Sequence, residues 1–204
     1  MLTLKEYQQR TLDALQQYFA ACRAQNDADK AFYSMTKIAY SPIKELPGLP
    51  YVCLRLPTGG GKTLVAAHAV GLAANDFLQV DHSLVLWLTP SNTIREQTFQ
   101  ALRNESHPYR QALNAALQSV TIVKLEEALF LRPSVYDAST VIVIASIQAF
   151  RVEDADLRRV YEPAGELKSH FLNLPEACLR FLETTDGIPI PSLANVFRLR
   201  TPIV

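Results

Sequence analysis

Five consecutive residues, Gly59-Gly60-Gly61-Lys62-Thr63, combine the residue types that handle phosphate. A chain of phosphates has to be surrounded by backbone N–H groups, and only residues without bulky side chains let a backbone approach that closely. The three glycines supply that approach. Lys62 adds a mobile positive charge for the β and γ groups of a nucleoside triphosphate, and Thr63 offers a hydroxyl to magnesium. Pro57 and Thr58 lead into the turn. The candidate nucleotide site is therefore Pro57, Thr58, Gly59, Gly60, Gly61, Lys62 and Thr63, with Lys62 and Thr63 as catalytic residues and Thr63 as the metal ligand. ATP and Mg2+ are the expected cofactors. A plain glycine turn is the competing reading, and the Lys-Thr pair directly after the glycines weighs against it.

Such a loop is expected between a strand and a helix whose positive dipole end faces the phosphates. The flanking pattern predicts both: a short strand over Tyr51–Leu56 and an alanine- and valine-rich helix from Lys62 to about Asn75. Upstream, Thr3 and Glu6 read as a capping box, and Leu4, Tyr7, Leu12, Leu15 and Phe19 recur at helical spacing over about residues 4–24. Pro42, Pro47, Gly48 and Pro50 mark loops, so residues 24–50 read as a surface insertion with one short helix.

Downstream, Ser83–Leu88 is almost wholly apolar, as a strand buried on both faces should be. Helices follow over about 92–104 and 109–118, then strands at Val120–Val123 and Val141–Ala145. Strands alternating with helices imply βαβ units and a parallel sheet. Residues 153–199 read as mostly helical, best spaced over Phe171–Leu182 and broken by Pro189 and Pro191, with Asp186-Gly187 as a turn. Thr201–Val204 looks like the first half of a further strand.

Leu56-Pro57-Thr58-Gly59-Gly60-Gly61-Lys62-Thr63 resembles motif I of superfamily 2 helicases, and its proline and three glycines are similar to those of restriction-enzyme R subunits and their DEAD/DEAH-box relatives. Leu56 stands where the common phosphate loop begins with glycine, which argues against kinase-like and transporter ATPases. Leu4-Lys5-Glu6-Tyr7-Gln8 resembles the upstream element whose glutamine reads adenine, which implies that role for Gln8. Leu88–Gln97 resembles motif Ia, and Val143–Phe150 resembles the later T-x-Q motif with serine in place of threonine. The resemblance implies nucleic-acid contacts at Thr89, Ser91, Asn92, Ser146 and Gln148. For Thr89, Ser91 and Asn92 the physics agrees, since hydroxyls and free N–H groups at a helix N-terminus hold phosphate. A helix cap (Thr89–Asn92), a strand end (Ser146, Gln148) and a solvated helix residue (Gln8) are the duller readings.

The fold class implied is α/β: a RecA-like P-loop NTPase domain, a parallel sheet flanked by helices, incomplete at its C-terminus. One such domain spans residues 1–204, with insertions at about 24–50 and 153–199. The implied function is ATP binding within an ATP-dependent DNA helicase or translocase of a restriction system. The partners implied are double-stranded DNA and other subunits of a restriction or DNA-processing complex, with no membrane.

Hydrolysis in superfamily 2 needs a strand ending in Asp-Glu, the aspartate steadying magnesium and the glutamate orienting water. Glu153-Asp154 follows no strand and reads as a solvated helix start. The acidic motif, the second RecA-like domain and any nuclease are therefore expected in a longer parent chain, beyond Val204. The 204 residues alone are expected to bind nucleotide weakly and to turn it over negligibly. A small P-loop phosphotransferase, with Arg151, Arg158 and Arg159 as a lid, is one alternative. A non-catalytic nucleic-acid- or protein-binding module is the other.

Composition sets the outer bounds. Hydrophobic residues are 49% and charged residues 20%, which fits a globular domain rather than a disordered chain. Twenty basic residues balance twenty acidic ones, so charge argues neither for nor against nucleic acid. Cys22, Cys53 and Cys178, like the four histidines, have no metal-ligand spacing and fit a reduced, cytoplasmic setting.

Overall fold

Helix α1 (Glu6–Gln25) follows from the spacing of Leu12, Leu15, Phe19 and Cys22, all buried together with Tyr18. In the computed structural model, which describes residues 3–43, 48–150 and 160–204, its first turn is not closed by the Thr3–Glu6 box. Glu6 pairs with Arg10 instead. Gln8 closes the turn, its Oε1 accepting the Lys5 N–H at 2.9 Å. Asn26, in the left-handed region at φ 49°, ends the helix. Asp27 then caps α2 (Ala28–Thr36), its Oδ1 accepting the Asp29 and Lys30 N–H groups at 3.0 Å each.

The strand expected at Tyr51–Leu56 does not form. These residues alternate between exposed and half-buried, as a strand would, but no sheet neighbour pairs with them among the described residues. A strand without a ladder partner has no regular hydrogen bonds to define it. Helix α3 (Lys62–Leu72) starts directly after the glycines and runs on through a wider turn, Ala73–Leu78. Gly71 lets it lie against α5 (Pro108–Ala116), because a Cβ at that position would overlap the Ala116 methyl. These elements, from the residues up to Val80 together with Pro108–Ala116, form one compact unit.

The second unit, Asp81–His107 and Leu117–Val204, is built on a parallel sheet of β1 (Leu84–Thr89), β2 (Val120–Lys124) and β3 (Thr140–Ser146) in the order β1-β3-β2. The register sets Leu84 beside Val141 and Val120 beside Thr140. Every residue of β3 is buried, as a central strand covered on both faces requires. Ile203 bridges to Val85, with Leu86 N–H to Ile203 O at 2.7 Å and Ile203 N–H to Leu84 O at 2.9 Å. The expected further strand therefore begins on the side of β1 away from β3.

Helix α4 (Asn92–Arg103) packs on all three strands through buried Phe99 and Leu102. Lys124 ties it to β2, with Nζ 2.7 Å from the Glu96 carboxylate and 4.6 Å from the centre of the Phe99 ring. The Lys124 ammonium, with help from Gln100, holds the Glu96 carboxyl below the usual carboxylate range. Two short helices, α6 (Leu125–Ala128) and α7 (Pro133–Ala138), follow β2.

Within the stretch expected to be mostly helical, the best-spaced part, Phe171–Leu182, does not form a continuous helix. A tight helical turn, Gly165–Phe171, is followed by Asn173 at φ 56° and by Pro175, neither of which continues a helix, and only α8 (Glu176–Leu179) forms beyond them. A hairpin of β4 (Thr184–Thr185) and β5 (Ile188–Pro189) then turns at Asp186-Gly187, as expected, and leads to α9 (Leu193–Arg200). Leu193, Val196 and Phe197 of α9 join Leu84, Leu86, Val141 and Val143 in the core of this unit.

Candidate functional site

The glycine loop forms because its residues can take backbone shapes that others resist. Gly59 and Gly61 sit in the left-handed region at φ 75° and 74°. Gly60 is buried, and a Cβ there would lie 2.8 Å from Pro57 O. The turn is closed by the Gly60 N–H donating to Pro57 O at 3.0 Å. Gly61 is the N-cap of α3, so no side chain caps that end, and no acidic residue stands in the first turn. The N–H groups of Lys62 and Thr63 thus have neither an intrahelical acceptor nor a capping oxygen. Backbone donors at the positive end of a helix dipole, on a loop where added Cβ atoms at Gly60 and Gly61 would strike Pro57 and Gln8, fit a magnesium-bound triphosphate. Lys62 is exposed and its Nζ donates to Pro57 O at 2.8 Å, a bond that a phosphate oxygen can replace. Thr63 is half-buried beside it, and Thr58 is exposed.

Gln8 lies against this loop. It is 5% exposed, and its Nε2 donates to Gly60 O at 2.9 Å while its Oε1 holds the Lys5 N–H. Tyr7, given no site role in the sequence reading, is 37% exposed and donates its hydroxyl to the same Gly60 carbonyl at 3.1 Å. Its position beside Gln8 was the one signal that could have revealed it.

In the sheet unit, the candidate nucleic-acid residues divide by exposure. Asn92 and Gln148 are exposed; Thr89 and Ser146 are buried, 2% and 4% exposed. The Thr89 hydroxyl lies 3.2 Å from Ala145 O and 3.3 Å from Ser91 O, joining the ends of β1 and β3. Gln148 donates to Pro90 O at 2.9 Å. Ser91 caps α4, its Oγ accepting the Ile94 N–H at 3.3 Å. The two stretches are therefore brought together at one edge, where neighbouring strands end.

Residues 1–172 match the family model for the type III restriction enzyme, res subunit. The chain belongs to that family. Its fold is accordingly that of a RecA-like P-loop domain at the front of a superfamily 2 helicase, and membership implies nucleotide binding. No curated protein and no solved structure matches the chain. Among the described residues no strand is followed by an Asp-Glu pair. Glu153-Asp154, Arg151, Arg158 and Arg159 lie outside the described residues. No helix among the described residues is long and apolar enough to cross a membrane.

Proposed function

We propose that this chain is the ATP-binding part of an ATP-dependent DNA helicase or translocase built like a type III restriction res subunit. The observation that carries the reading is the loop itself: left-handed Gly59 and Gly61, buried Gly60, and an uncapped α3 beginning at Lys62. In this proposal the phosphates of ATP take the N–H groups of the loop and of the first turn. Lys62 would exchange Pro57 O for a phosphate oxygen, and the Thr63 hydroxyl would hold Mg2+. The metal ion neutralises charge on the phosphates.

Double-stranded DNA is the proposed partner of the strand-end edge. Exposed Asn92 and Gln148, with the N-terminus of α4, meet the sugar-phosphate backbone, while buried Thr89 and Ser146 hold that edge in shape. The proposal extends to other subunits of a restriction or DNA-processing complex and to a cytoplasmic setting. Because no described strand leads into an Asp-Glu pair, the 204 residues alone are proposed to bind ATP without appreciable hydrolysis.

The test is phosphate release by the chain with and without duplex DNA, alongside DNA affinity with and without MgATP. The expected result is negligible release and a DNA affinity that MgATP changes. Robust turnover by these residues would contradict the assignment of the missing acidic pair. A DNA affinity indifferent to both MgATP and Lys62→Ala would favour a non-catalytic binding module.

A further inference from the structure

The helical turn Gly165–Phe171 meets its neighbours in the sheet unit through one histidine. His170 is 5% exposed, and its Nε2 lies 2.7 Å from Leu131 O, in the loop between α6 and α7. A carbonyl can only accept, so Nε2 carries the hydrogen and Nδ1 is left with a lone pair. That Nδ1 is buried and has no hydrogen-bond partner among the described residues. The ring stands edge-on to Tyr136 of α7, with centres 5.5 Å apart and planes at 80°. Tyr136 is 4% exposed, and its hydroxyl is likewise buried without a partner among the described residues.

The charges around this contact do not welcome another cation. Arg200 of α9 lies over the Tyr136 ring at 5.3 Å and pairs with Asp137 at 2.7 Å. Arg198 pairs with Glu183, while Arg132, Glu166 and Lys168 are exposed. Burial holds the His170 imidazole below its ordinary range, and Arg200 adds to this; the Leu131 carbonyl and Asp137 act in the opposite direction. Burial also pushes the Tyr136 phenol up to about 12, so it stays neutral wherever a histidine titrates. A proton on Nδ1 would create a charged donor with no acceptor among the described residues, in an enclosed site with a guanidinium close by.

We propose that His170 is an acid-sensitive latch: as a neutral imidazole it docks the Gly165–Phe171 turn against Leu131 and Tyr136, and on taking up a proton it releases the turn. Released, the side chain titrates at about 6.5; docked, it resists the proton. The released form therefore binds more protons, so docking is at full strength above about pH 6.5 and weakens as pH falls below it. The same turn carries Leu167, fully buried in the core that also holds Val196 and Phe197 of α9, so its release uncovers apolar surface of the sheet unit. The latch uses neither the glycine loop nor the strand-end edge.

The experiment is amide hydrogen exchange of the 204-residue chain at pH 7.5 and 5.5, corrected for the intrinsic effect of pH, in the wild type and in His170→Gln. Glutamine keeps a donor for Leu131 O and has no group that titrates. In the wild type, protection of the Gly165–Phe171 turn is expected to fall by up to about tenfold between the two pH values, the limit for one proton whose ordinary value lies midway. Protection of the turn in His170→Gln should stay constant, and that of β3 should hold in both proteins. His68, also held low by burial, belongs to the other unit and contributes alike to both proteins. Protection of the turn that is independent of pH in the wild type, or that falls equally in both proteins, would overturn the proposal. Should His170→Gln leave the turn unprotected at both pH values, an NMR titration of the wild type decides. A docked His170 signal that keeps its neutral position down to pH 5.5 is expected, and titration at or above about 6.5 would overturn the latch.

Discussion

At the scale of single residues, the loop shows how much chemistry can be written in residue type alone. Three glycines, a lysine and a threonine are legible as a phosphate site because each requirement is local: φ at 59 and 61, space at 60 and 61, charge at 62. What could not be read locally is the brace behind it, since Gln8 reaches Gly60 across 52 positions of sequence. Gly61→Ala tests the local part. An alanine there has to hold a left-handed conformation at a cost of about 1–2 kcal/mol, and its methyl displaces the Gln8 amide. MgATP affinity is expected to fall by more than tenfold while helix content, read by circular dichroism, stays near that of the wild type. Unchanged affinity would show that the loop does not use this backbone shape for ligand.

At the scale of elements, the alternating strands and helices of the sheet unit were plain in the sequence because apolar runs such as Val141–Ala145 have one stable destination, a strand buried on both faces. Tyr51–Leu56 carried a comparable pattern and formed no strand, since pattern alone does not provide a neighbour to pair with. The segment after Phe171 misled for another reason. Its apolar spacing is helical, but Asn173 and Pro175 interrupt it, and the Asp186-Gly187 turn at φ 51° and 77° builds a hairpin instead. That hairpin is held by Asn195, which is fully buried. Its Oδ1 accepts the Glu183 N–H at 2.9 Å, and its Nδ2 donates to Glu183 O and Ile190 O at 2.8 Å each. Asn195→Ala removes these three hydrogen bonds and leaves the Glu183 N–H without its acceptor, while Glu183 O and Ile190 O keep the Ile190 and Ser192 N–H groups at 2.9 and 2.8 Å. The expected cost is about 2 kcal/mol. Urea unfolding should read that loss as a lower midpoint, whereas a midpoint within error of the wild type would mean the hairpin is closed by other contacts.

At the scale of the whole molecule, balanced charge gave no hint of a nucleic-acid partner, and the proposal of one draws instead on membership of the res-subunit family over residues 1–172. Each unit has its own task in the proposed function. One holds the triphosphate on the loop before α3, and the other presents a strand-end edge to the DNA backbone. Both tasks depend on nucleotide being bound where the glycines lie. Titration calorimetry of MgATP into the wild-type chain and into Lys62→Ala tests that most directly. Saturable binding by the wild type, lost in the variant while its melting temperature is unchanged, is the predicted result; equal heats from both proteins, or none from the wild type, would contradict it.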